Sequence, residues 1–201
     1  MIAFYNSYYK QTMTRKTTRH FFPAFIFLIM VPTLTRAQFT RVGVGLTFSP
    51  GVDNITYKTG NPGFNARCVF DLADRFWAVP SLTFYVPKSR TTSQGDKQTT
   101  WFFAFDGDIT FTLATEKTLL FYALGGFNIT NLYSSFKSDN PELGSSYEVV
   151  PGLNIGTGIE MIVADDINAF TKVKYVVGKY QHLVISIGVH YYISGRRYKT
   201  W

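Results

Sequence analysis

The sequence predicts an all-β chain, an eight-stranded antiparallel up-and-down transmembrane β-barrel covering residues 38–194. Three observations lead there. Eight stretches alternate apolar side chains with small or polar ones, the two-residue period of a strand whose faces meet different surroundings. The connections alternate between long and short, as in hairpins with one set of tight turns and one set of loops. Finally, the glycines of several strands share a face with charged residues, which identifies that face as the inside of a narrow barrel, where small neighbours make room for long side chains.

The first strand sets Val42, Val44, Leu46 and Phe48 against Arg41, Gly43, Gly45 and Thr47, and the second sets Phe64, Ala66, Cys68 and Phe70 against Asn65, Arg67 and Asp71. The third, Phe76 to Val86, contains Pro80, whose missing backbone donor predicts a bulge or a weak point in the ladder. In the fourth, Phe103, Phe105, Ile109, Phe111 and Leu113 oppose Ala104, Asp106, Asp108, Thr110 and Thr112. The fifth, Leu119 to Asn131, is apolar on both faces around Leu120, Phe121, Tyr122 and Leu124; its outward face stays open, and Gly125-Gly126 suggests a bulge that shifts the phase. Leu153, Ile155, Ile159 and Met161 oppose Gly152, Asn154, Gly156, Gly158 and Glu160 in the sixth strand. Val173, Tyr175 and Val177 oppose Lys172 and Lys174 in the seventh. The last places Leu183, Ile185, Ile187, Val189, Tyr191 and Ile193 against Ser186, Gly188, His190 and Tyr192.

Asp71 to Arg75, Thr115 to Lys117 and Ala164 to Asp166 read as charged tight turns on the periplasmic side. Pro50 to Pro62, Pro87 to Thr99 and Tyr133 to Tyr147 read as long outer loops, and the fourth outer connection, Gly178 to His182, is short. Phe39, Phe48, Trp77, Tyr85, Trp101, Tyr122 and Tyr175 lie toward strand ends, where rings can sit at headgroup level.

A removable leader precedes the barrel. Arg15, Lys16, Arg19 and His20 lead into an apolar run from Phe21 to Val31, then small residues at Thr35 and Ala37, so residues 1–37 read as a signal peptide cleaved before Gln38. The run is shorter than the roughly 20 residues of a spanning helix. Either Met1 or Met13 could be the initiator. The whole chain has 20 basic and 13 acidic residues; Lys10, Arg15, Lys16, Arg19 and Arg36 leave with the leader, so the mature balance is 15 minus 13, or +2. A basic total is therefore no argument for nucleic-acid binding. Cys68 is the lone cysteine and makes no internal disulfide.

The runs Asp106-Gly107-Asp108-Ile109-Thr110-Phe111, Phe121-Tyr122-Ala123-Leu124-Gly125-Gly126-Phe127 and Gly152-Leu153-Asn154-Ile155-Gly156-Thr157-Gly158-Ile159-Glu160 resemble the small outer-membrane β-barrel proteins of the OmpA and OmpX type. Lys172-Val173-Lys174-Tyr175 and Ile187-Gly188-Val189-His190-Tyr191 extend the resemblance over nearly all of the mature chain. It implies export to the outer membrane of a Gram-negative cell, outer-membrane lipids and lipopolysaccharide as neighbours, and folding by the barrel-assembly machinery. Such proteins often end on an aromatic that this machinery reads; Tyr191, Ile193 and Trp201 are the alternatives here, and residues 195–201 form a short tail containing Arg196-Arg197-Tyr198-Lys199.

Eight strands enclose a lumen that side chains fill. The expected filling is a charge network of Arg41, Arg67, Asp106, Asp108, Glu160, Lys172 and Lys174, with His190 and Tyr192 nearby. The reading is a monomeric structural or surface-binding barrel, with an extracellular ligand taken by its long loops, above all Tyr133 to Gly144. A narrow ion or small-solute channel is one alternative. An outer-membrane lipid acyl hydrolase or transferase is another, but Ser186 and His190 lie four residues apart on one strand, roughly 13 Å, beyond the reach of a nucleophile and its base. His182 could instead meet Ser134 or Ser135 at the outer rim. The sequence carries no metal-ligand spacing, phosphate-binding glycine motif or nucleophile elbow, and no cofactor is expected.

Overall fold

The structure, a computed structural model, describes residues 38–50, 60–91, 97–137 and 145–193, apart from the side chains of residues 90, 97, 136 and 137. The expected leader (1–37), the tail (195–201) and the central parts of the three long loops lie outside the described residues.

Eight strands follow one another in order: β1 (Gln38–Ser49), β2 (Asn61–Ala73), β3 (Phe76–Thr91), β4 (Lys97–Glu116), β5 (Leu119–Lys137), β6 (Ser146–Ala164), β7 (Ile167–Gly178) and β8 (His182–Tyr192). Each pairs antiparallel with its neighbour in sequence, and β1 closes the barrel on β8 through a register running from Arg41↔Tyr192 to Phe48↔Ile185. Closure leaves no strand edge, so the ladder satisfies the wall's backbone groups without water except where it is interrupted at Pro80.

The distribution of side chains is inverted with respect to a soluble protein. Among the described residues 25 polar or charged side chains are buried against 14 apolar ones, while 30 large apolar side chains stand exposed on the outside. A lipocalin-like barrel would show the reverse; an apolar outside around a polar inside is what hydrocarbon requires.

The two irregular strands resolve differently. β5 turns Leu119, Phe121, Ala123, Phe127 and Ile129 outward and Leu120, Tyr122 and Leu124 inward. Both faces read as apolar because the inward set packs against Val69, Trp77 and Val79 within the lumen. Gly125-Gly126 shifts no phase: the β5–β6 register is continuous from Leu119↔Met161 to Ser134↔Ser146. Three of the five register shifts among the described residues instead accompany the tight turns; the other two lie at Phe39/Arg41 and Tyr85/Lys88. Register shifts at Asp71/Ala73, Thr112/Ala114 and Ile162/Ala164 leave Leu72, Leu113 and Val163 as extra residues two to four positions before the two-residue turns at 74–75, 117–118 and 165–166. Lys117 has φ 45°, the left-handed backbone that such a hairpin demands. At Pro80 the β4 pairing to Gly107 persists, but the β2 register passes from Arg67↔Ser81 to Phe70↔Ala78 with no pairs between.

The strands also run further toward the long loops than the alternation suggests. β3 continues to Thr91, β4 begins at Lys97 and β5 reaches Lys137. Above the apolar band, polar side chains hold the ladder together: the hydroxyls of Ser89 and Thr99 are 2.9 Å apart and those of Thr100 and Ser134 3.0 Å apart. Solvent-facing strands need no apolar face, so this extension has no hydrophobic signature.

Candidate functional site: the barrel interior

Strand alternation places Arg41 (β1), Arg67 (β2), Asp106 and Asp108 (β4), Glu160 (β6) and Lys172 and Lys174 (β7) on the inner wall, where all seven are buried. Six of them form three ion pairs: Arg41 Nη1 to Glu160 Oε1 at 2.6 Å, Lys172 Nζ to Asp108 Oδ2 at 3.2 Å and Lys174 Nζ to Asp106 Oδ1 at 2.5 Å. Arg41 also lies 3.8 Å from Asp71 at the partly exposed tight-turn end. Buried pairs of this kind tolerate desolvation only if their remaining lone pairs are satisfied.

Asparagines on neighbouring strands supply that satisfaction. Asn154 Nδ2 donates to Asp108 Oδ1 at 2.6 Å and Asp106 Oδ1 at 3.0 Å, Asn128 Nδ2 donates to Asp106 Oδ1 at 2.7 Å, and Asn168 Nδ2 donates to Glu160 Oε1 at 2.7 Å. His190 Nδ1 is 3.3 Å from the same Glu160 oxygen. None of these asparagines belongs to the set of seven that the sequence singles out, although each has the inward parity of its strand.

Aromatic rings complete the filling. Arg41 lies 4.6 Å from the Trp77 ring and 5.3 Å from that of Tyr192, and the guanidinium of Arg67 sits 3.7 Å over Phe170, whose ring stacks on His190 at 4.5 Å. Trp77, Tyr85 and Tyr122 are thus corrected from headgroup rings to lumen rings, at 8%, 5% and 4% exposure. They share strand parity with Val79, Ser81 and Leu124, and parity outweighs proximity to a strand end. Phe39, Phe48, Trp101 and Tyr175 do face outward.

The inner glycines leave the space these groups occupy. A Cβ on Gly43 would stand 2.4 Å from His190 Cδ2 and 2.9 Å from Arg67 Cγ; one on Gly158 would stand 2.3 Å from the Tyr122 hydroxyl. Toward the long-loop end, Tyr85, Phe102 and Leu132 form an apolar layer, with Tyr180 against it and the buried His182 ring edge-on to Phe102 at 5.9 Å.

The hydroxyl of Ser186 is 2.9 Å from that of Thr47, while His190 faces Glu160 and Phe170. His182 Nδ1 is 2.9 Å from the Tyr180 carbonyl oxygen, and Ser134 shares its hydrogen bond with Thr100. Among the described residues no group of three or more His, Cys, Asp or Glu side chains is arranged to hold a metal ion. Chemically, the interior is a set of three ion pairs that link strands across the barrel, with Arg67 outside them.

No protein-family model and no curated protein matches the sequence. Solved structures do. The attachment invasion locus protein Ail of Yersinia pestis superposes with a TM-score of 0.55 at 13% identity, covering 77% of this chain and 97% of Ail. Neisserial surface protein A gives 0.55 at 14% identity over 77% of this chain and 97% of its own. The N-terminal β-barrel domain of Pseudomonas aeruginosa OprF gives 0.54 at 14% identity over 78% and 99%. With the closed eight-strand order and the inverted burial, these likenesses show that the chain has the fold of the small eight-stranded outer-membrane barrels.

Proposed function

We propose that this protein is a non-conducting outer-membrane barrel whose ion-paired interior stiffens the wall and whose long loops face the cell exterior as a binding surface. The observation that carries the reading is the crosslinking of the lumen, in which Arg41–Glu160, Lys172–Asp108 and Lys174–Asp106 join β1 to β6 and β7 to β4. A rigid, side-chain-filled scaffold suits recognition by loops rather than transport. The hydroxyl of Ser186, engaged with Thr47 rather than His190, supports a role without acyl chemistry. In this reading the turns at 74–75, 117–118 and 165–166 lie in the periplasm.

Planar-bilayer recording tests the closed lumen: the wild-type barrel should give no resolved conductance steps. Reproducible steps that vanish in Glu160→Ala would refute it. Replacing residues 51–59, 92–96 and 138–144 by Gly/Ser linkers tests the loops, because binding to host cells, phage or lipopolysaccharide should be lost while heat-modifiable gel migration is retained. Unchanged binding would remove the surface role, and recovery of the protein from the soluble periplasm would remove the outer-membrane assignment.

A further inference from the structure

Among the seven charged residues of the lumen, four are basic and three acidic, and the three carboxylates are taken by Arg41, Lys172 and Lys174. Arg67 is the basic residue left over. It is 4% exposed, its Nε donates to Asn65 Oδ1 at 2.8 Å, its face covers the Phe170 ring, and its Nη2 is buried with no hydrogen-bond partner among the described residues. None of the described carboxylates forms an ion pair with it. A guanidinium does not lose its proton to escape burial, so the charge stays and calls for a counter-charge.

A cavity of about 20 Å³ adjoins this group, lined by Arg67, Arg41, Lys172, His190, Tyr122 and Trp77, with Asp108 and Glu160 also on its wall. The two carboxylates are already neutralised by Lys172 at 3.2 Å and Arg41 at 2.6 Å, which leaves the surplus positive charge of Arg67. The space exceeds the roughly 10–15 Å³ needed by a single water and is far too small for a sugar acid or a lipid headgroup.

We propose that this cavity is a binding site for one small monovalent anion of the halide class, held by Arg67 Nη2 and enclosed when β1 closes on β8. One such ion balances the seven buried charges, supplies the acceptor that Nη2 lacks, and adds a link between β2 and the groups of β6, β7 and β8 around the cavity. It would make the barrel's stability depend on the identity of the anion as well as on ionic strength.

The test compares protein folded in detergent micelles in sodium chloride, sodium bromide and sodium gluconate of equal ionic strength, and collects anomalous diffraction from crystals grown in bromide. Chloride and bromide should raise the thermal unfolding midpoint above that in gluconate, with saturation, and a bromide peak should lie in contact with Arg67 Nη2. Arg67→Met should abolish the difference between salts, whereas Arg67→Lys should retain part of it. Coincident midpoints in all three salts, or a bromide map with no peak beside Arg67, would overturn the proposal in favour of water alone. The wild-type measurements decide the matter even if Arg67→Met does not fold.

Discussion

Arg41 and Glu160 meet at 2.6 Å across the barrel although 119 residues separate them in the chain. Each is the other's principal counter-charge, and both are buried. Their contact depends on the inner faces of β1 and β6 coming opposite each other, and therefore on barrel closure.

Removing one partner strands the other. Arg41→Met or Glu160→Leu alone should destabilise the folded barrel by about 3–5 kcal/mol, the cost of an uncompensated buried charge, and the double variant should cost less than the sum of the two. Urea unfolding and refolding in lipid vesicles measures this; strict additivity would mean that the pair is not coupled.

Two glycines should respond differently to alanine. The Gly43 Cβ would meet side chains, His190 Cδ2 at 2.4 Å and Arg67 Cγ at 2.9 Å, whereas the Gly188 Cβ would meet the Val44 carbonyl oxygen at 2.2 Å before Phe170 Cζ at 2.7 Å. Each Ala variant should lose about 1–3 kcal/mol through overpacking. Adding His190→Ala should recover part of the Gly43→Ala loss, while Phe170→Ala should leave Gly188→Ala largely uncorrected, because the β1 backbone cannot move away. Equal rescue of both, read from the same unfolding curves, would contradict this distinction.

Pro80 interrupts the β2–β3 ladder, and its side chain has the outward parity of Leu82 and Phe84. Pro80→Val should supply the missing donor, slow amide hydrogen exchange nearby in β2 and stabilise the barrel by about 1 kcal/mol. Unchanged exchange at Cys68 and Val69 would place the cause of the gap elsewhere.

Lys179, between β7 and β8, donates to Glu148 Oε1 at 2.5 Å and is 63% exposed. The hydrogen bond to Glu148, and then its charge, hold the ammonium above the usual lysine pKa. The contribution of this contact is therefore complete below the unfolded lysine pKa and is lost as pH rises through the higher folded value. An NMR titration should find the Lys179 midpoint raised in wild type and lowered toward an ordinary lysine in Glu148→Gln, with the unfolding free energy almost unchanged because the pair is exposed.

How much of the interior could be read in advance follows from the physics of alternation. Arg41, Glu160, Lys172 and Lys174 stand out because a charge among apolar neighbours has only one tolerable direction in a membrane barrel. Asn128, Asn154 and Asn168 carry the same inward parity but no charge, so they resemble many other polar strand residues until their distances to the carboxylates are known. Trp77 and Tyr122 were hidden for the opposite reason. An aromatic on a barrel strand is tolerated by lipid, headgroup and lumen alike, and only the phase of its strand chooses among them.

Alternation, turn chemistry and glycine placement along the chain by themselves determined eight strands, their order, the inner face of most of them and the identity of the charged residues within. Each of these is a local property, since the pleat sends successive side chains to opposite faces whatever lies further away. The tertiary structure alone decided which charges meet, which asparagines complete them, the outward face of β5, and that Arg67 is left without a carboxylate among the described residues. Those outcomes depend on the relative register of all eight strands around a closed ring, and one residue of slip in any strand would rearrange the partners on its inner face.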